Sequence, residues 1–219
     1  MTVFTAEEIE KFKTEAFIEW SNGKRLYRQA AAYILMMNTG LRTRAMLGLL
    51  NSDIDIKNKT LTVRQGVKEI FKRDGVQSAG GMEIKIGKPK SASGKRTVPL
   101  NATTIAMIEY LHKEAFFGED TPLVCDEKGS YTKSVNFRKR YYRILKAVGI
   151  ERKGLHSLRH TFATNLVNGV KQADGSIKTL IPKQVADLLG HSTSQITELY
   201  YVKKRHRLLK RNNGRLHPV

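Results

Sequence analysis

One cysteine, Cys125, stands among 219 residues, which excludes an intrachain disulfide and a thiolate metal cluster. Its expected role is that of a small buried hydrophobe. Acidic residues are scarce: 20 Asp and Glu face 39 Lys and Arg, for a formal net charge of +19 and a pI near 10.1. That imbalance sets the chain apart from enzymes of balanced charge and makes a polyanion the expected partner. Long apolar runs are missing too, with no stretch approaching the ~20 residues that span a bilayer. The start, Thr5-Ala-Glu-Glu, lacks the basic opening of a secretory signal, so a soluble, cytoplasmic chain is expected. Histidine is present at six positions, yet His156, His160 and His191 do not fall into a metal-ligand spacing. No metal and no cofactor are expected, and the sequence contains no internal repeat or low-complexity linker.

What is present is enough apolar residue to fold. Forty per cent of the chain is hydrophobic, which suits one domain or a domain with a small appendage. The cations run from Lys11 to Arg215, so a folded basic surface is favoured over a disordered gripping arm.

Thr5 with Glu8 three residues on forms a capping box, and Ile9, Phe12, Ala16 and Phe17 follow at helical spacing, predicting a helix to about Trp20. A second helix over Leu26 to Asn38 is apolar nearly all round, the pattern of a central buried element; Thr39-Gly40 breaks it, and a short helix Thr43 to Leu50 follows. The period then changes to two. Thr60 to Arg64, Met82 to Ile86 and Arg96 to Leu100 alternate as short strands, predicting a small three-stranded antiparallel sheet. The glycine-rich stretch Lys68 to Gly81 reads as a loop, and Gly87 to Lys95 as a turn carrying Lys88, Lys90 and Lys95. Asn101 is a good N-cap for Ala102 to Phe116. Further helices are predicted over Ser134 to Val148 and from His156 or Ser157 to Asn168. A loop is predicted over Gly169 to Leu180, then a short helix between Pro182 and Gly190. Another helix from about Thr193 carries Tyr200, and a basic segment follows from Lys203.

The chemistry concentrates in a few places. Gly154-Leu-His-Ser-Leu-Arg-His160 sets His156 and Arg159 three apart, on one helical face: a proton-transfer group beside a permanently charged fork of donors. Alone, such a pair is most often a solvated face. Here it sits in order with Thr39-Gly-Leu-Arg42, Pro89-Lys90-Ser91 ahead of Arg96-Thr-Val-Pro-Leu100, Leu189-Gly-His191, and Tyr200 nine residues past that histidine. This series resembles the catalytic domain of the tyrosine recombinases, the phage-integrase family, and the resemblance runs from about Thr5 to Val202.

The resemblance implies an α+β, mainly helical catalytic domain with a small three-stranded antiparallel sheet. It occupies residues 1–202, with a basic tail over 203–219; the N-terminal helical domain that closes the family's DNA clamp is absent from this sequence. It implies a site-specific recombinase of integrase or excisionase type, acting on double-stranded DNA through a 3′-phosphotyrosine as a homotetramer whose tails are exchanged between subunits. Arg42 and Arg159 would clamp the phosphate oxygens, Tyr200 would attack phosphorus, and Lys90, with Lys88 as runner-up, would protonate the leaving 5′ oxygen. His156 would handle the tyrosine proton and His191 would donate to the phosphate, with no divalent ion required. His160 is expected to be a structural neighbour. Tyr201 lacks the family offset from His191, and Tyr33, Tyr110, Tyr141 and Tyr142 read as core or surface aromatics.

The sequence departs from the family pattern twice. Ala45 stands where an acidic residue usually follows the first arginine by three, and Lys171 to Thr179 lengthens the interval between Arg159 and His191. Two other readings stay open from the residues: relaxation of supercoils by a type IB topoisomerase, which uses the same tyrosine chemistry, and a catalytically silent DNA-binding module, which Ala45 makes reasonable.

Overall fold

The computed structural model describes residues 2–71, 82–87, 94–171 and 177–190. The chain divides into two compact units, Met1–Phe162 and Ala163–Val219.

The first unit is built around α2, Ala30–Thr39, of which every residue but Asn38 is buried. Each fully buried Leu, Ile or Met on such a helix is worth about 1.5–3 kcal/mol before entropy is charged against it. Gly40 ends the helix at φ 62°, ψ 21°, its N–H donating to Met36 O, a left-handed cap that glycine reaches without a Cβ penalty. Around α2 pack α1, Ala6–Ala16, α4, Ala102–Glu114, and α5, Ser134–Ala147. Phe12, Tyr33, Phe137 and Tyr141 interlock between them with centroid separations of 4.5–6.1 Å. The Tyr33 hydroxyl, which would otherwise be a stranded polar atom, donates to Phe137 O at 2.7 Å. Cys125 is buried, as its sequence context implies.

Several predicted boundaries move. The capping box at Thr5 and Glu8 forms, but α1 stops at Ala16 because Ile18 and Leu26 turn the chain back, with Leu26 N–H donating to Ile18 O. The second helix begins at Ala30 rather than near Leu26. Gln29, 2% exposed, is left-handed at φ 65° and is fixed by long-range bonds: its N–H donates to Glu114, and its side chain reaches Cys125 O, Thr132 and Arg140. The third helix, α3, is Thr43–Gly48, and α4 ends at Glu114 rather than Phe116. The fifth begins at Ser134, as predicted, but with a cap from afar: the Glu69 carboxylate accepts from the Ser134 N–H and hydroxyl.

A three-stranded antiparallel sheet exists, but its members differ from those predicted. It joins β1, Ile54–Asp55, to β2, Thr60–Val63, and β2 to β5, Arg96–Pro99. Met82 to Gly87, β4, pairs instead with β3, Gly66–Phe71, in a separate two-stranded sheet, so the start of the predicted loop at Lys68 is strand. Alternation reveals which face a strand buries and cannot choose its neighbour. β3 also lies against α3 at backbone distance, since a Cβ on Gly48 would fall 2.8 Å from Gly66 Cα.

In the second unit, the expected loop after Asn168 contains a small hairpin of β6, Val170–Lys171, and β7, Ile177–Lys178. The following helix α7, Pro182–Leu189, runs between the predicted proline start and Gly190, which is left-handed. Its Val185, Ala186 and Leu189 are buried. Among the described residues, no helix is long and apolar enough to cross a membrane. The predicted helix from Thr193 and the basic tail lie outside the described residues.

Candidate active site

α6, His156–Asn168, starts where the sequence predicts. Ser157 organises its first turn: both its N–H and its hydroxyl donate to Gly154 O, at 2.8 and 2.6 Å. His156 and Arg159 follow from that turn. Arg159 is 2% exposed, and its guanidinium donates to Gly40 O at 2.6 Å.

That bond joins two segments 119 residues apart. Gly40 belongs to Thr39-Gly-Leu-Arg42, so the left-handed turn that ends α2 aims a carbonyl at the arginine of α6. A carbonyl fixes the plane of a guanidinium and leaves its formal charge in place. Thr39, fully buried, donates its hydroxyl back to Leu35 O at 2.7 Å, holding the turn from within.

Arg42 stands at the N-cap of α3 with extended backbone. Its side chain reaches solvent, and burial of the remainder lowers its pKa. His156 keeps an exposed edge, yet its pKa is lowered by burial, then by the positive charges of Arg159 and Arg42. Those influences show that Arg42, His156 and Arg159 share one electrostatic neighbourhood. His160 packs edge-on against His156, with ring centroids 4.6 Å apart. Its pKa falls to about 4 through burial, then His156 and Arg159, so both imidazoles are neutral near pH 7.

Arg96 stands within Arg96-Thr-Val-Pro-Leu100, where its sequence context marks no role for it. Burial, then the charge of Arg42, bring its pKa down to about 10, which places a further cation in the same neighbourhood. Its position opposite Val63 in the β2–β5 register carries it there, and only the pairing of those strands could have disclosed it. Ala45, half-buried, packs against the hydrophobic core. Lys90, its runner-up Lys88, His191, Tyr200 and its rival Tyr201 lie outside the described residues. Among the described residues, no three His, Cys, Asp or Glu side chains gather as a metal-ligand group.

A dense set of cations with neutral imidazoles beside them is a place for an oxyanion and for proton transfer at it. These residues stand on a mainly helical scaffold with a small antiparallel sheet. The chain matches the Phage integrase family over residues 3–207, and it belongs to that family. It is 29% identical over 208 residues to a XerC-like tyrosine recombinase of Caldanaerobacter subterraneus subsp. tengcongensis, covering 89% of this chain and 50% of that protein. Against tyrosine recombinase XerC of Corynebacterium glutamicum it is 28% identical over 200 residues, covering 90% and 54%. The chain thus spans about half the length of the curated relatives it matches. Its fold is similar to that of the Tn1549 transposon integrase in complex with circular intermediate DNA, with a TM-score of 0.69 and 24% identity over 94% of this chain and 67% of that one. It is also similar to the XerH site-specific recombinase bound to difH substrate, with a TM-score of 0.62, 24% identity, and coverage of 91% and 50%.

Proposed function

We propose that this chain is the catalytic part of a site-specific DNA recombinase that cuts and rejoins double-stranded DNA through a 3′-phosphotyrosine. The observation that carries the reading is the Arg159 guanidinium seated on Gly40 O, which unites the family's two arginine motifs at one site. In this reaction the Tyr200 oxygen attacks phosphorus, the bond to the 5′ oxygen breaks, and Lys90 gives that oxygen its proton. Rejoining runs the same steps backwards with a 5′-hydroxyl from another strand. Arg42 and Arg159 bind the non-bridging oxygens, where charge grows in the transition state, and His191 adds a hydrogen bond. His156 accepts the tyrosine proton. Its lowered pKa supports this role, because only a neutral imidazole can accept. For Lys90, His191 and Tyr200 the support is their spacing in the family pattern.

The net charge of +19 supports DNA as the partner, with affinity falling steeply as salt rises. Strand exchange between two sites calls for four subunits, with the basic segment after Val202 reaching a neighbour. Its place of work is then the cytoplasm, at the nucleoid of a bacterial or phage-infected cell. A nicked suicide duplex tests the reading: a covalent 3′ adduct forms, and Tyr200→Phe abolishes it. Salt-sensitive gel shifts without any adduct would overturn it in favour of a silent DNA-binding module, and supercoil relaxation without joined segments would make it topoisomerase-like.

A further inference from the structure

Lys153 is a lysine almost wholly out of water, 7% exposed, three residues before His156. Its ammonium donates to Val3 O at 3.0 Å and to both Glu8 carboxylate oxygens at 2.5 Å. It also stands 4.8 Å from the centroid of the Phe4 ring. The same carboxylate accepts from the Thr5 N–H at 2.7 Å in the capping box of α1. The strand of chain just before α1 makes a second tie. Phe4 N–H donates to the Thr161 hydroxyl at 2.9 Å, and that hydroxyl donates on to Ser157 O at 2.9 Å. Val3 to Glu8 therefore grips α6 on both sides of its opening turns, at Lys153 before His156 and at Thr161 beyond Arg159.

Packing alone does not call for this. Burying an ammonium costs several kcal/mol unless it is paired and fully hydrogen-bonded, and an apolar side chain of similar volume often serves stability as well. What the polar tie adds is direction: three acceptors fix where the Lys153 backbone can sit, and the hydroxyl relay fixes the rotation of α6. We infer that Glu8 and Lys153 are positioning residues for His156 and Arg159, acting with the Phe4–Thr161 bond as a strap that sets the angle of α6. The inference rests on the catalytic assignment of His156 and Arg159 above. An ångström of misplacement in such a site costs as much as ~10²-fold in rate.

The test uses the 219-residue chain carrying Lys153→Met with Glu8→Gln, which removes both charges together, keeps an acceptor for Thr5, and leaves no uncompensated ion. Adduct formation at saturating nicked duplex is expected to slow about tenfold while the DNA Kd stays within about twofold, because affinity is spread over many cations. Hydrogen exchange should quicken at Leu158 to Thr161 and remain unchanged at Ile108 and Leu111 of α4. Unchanged rate with unchanged α6 exchange overturns the strap, and so does exchange that quickens equally in α4. If the unaltered chain forms no adduct, the catalytic assignment falls, and the exchange data still decide whether the strap holds α6. Should the double variant not fold, Thr161→Val cuts the second tie alone, and the same split between rate and affinity is expected at about threefold.

Discussion

Two buried cations six residues apart, Lys153 and Arg159, sit in opposite surroundings. The first is closed into a carboxylate, a carbonyl and an aromatic face, so its charge is answered within the protein. The second rests on the carbonyl of Gly40, and the groups around it, His156 and His160, have their pKa values pushed down by burial and by neighbouring cations. The first charge is tied into the chain, and the second helps to lower the pKa values of the imidazoles beside it. Burial is common to both, and the contacts seen at each differ.

That contrast can be broken by substitution. Arg159→Ala is expected to lower the adduct rate by about 10²–10³-fold, as loss of a transition-state donor does, with DNA affinity measured by gel shift nearly unchanged; equal losses in both would make Arg159 an ordinary binding residue. Glu8→Ala should act the other way round. It strands the buried Lys153 ammonium and is expected to cost about 3 kcal/mol of stability, read as a lower denaturant midpoint.

Away from both cations, Gly48→Ala pushes a methyl into the Gly66 backbone and should cost about 1–3 kcal/mol by the same measurement. A wild-type midpoint would show that α3 and β3 can separate cheaply.

The last expected effect concerns pH. His160 titrates at about 4 in the folded chain and near 6.5 when unfolded, with the lowered His156 beside it. The unfolded chain therefore takes up protons first, and stability should fall as pH drops from about 6.5 towards 4. His160→Asn should flatten that slope in thermal melts across the window, and an unaltered slope would assign the loss to other groups.

Local features were readable from residues alone. Thr5 and Glu8 announced a capping box, the residues around His156 announced the start of α6, and Pro182 with Gly190 bracketed α7, because each signal acts within one helical turn. Arg42, His156 and Arg159 were likewise legible as a motif series. Illegible were Arg96 as a neighbour of Arg42, the pairing of β4 with β3, Glu69 as the cap of α5, and the Glu8–Lys153 tie. Each depends on a partner from 11 to 145 residues away, and nothing in the local spacing encodes which distant group arrives.

The sequence by itself determined the family, the basic character, the turns and caps, and which side chains could bind a phosphate and move protons around it. Only the tertiary structure decided how Arg159 among them is oriented. A guanidinium has one useful plane, and it takes a carbonyl from a left-handed glycine far away in the chain, together with a helix gripped at its opening turns, to set it.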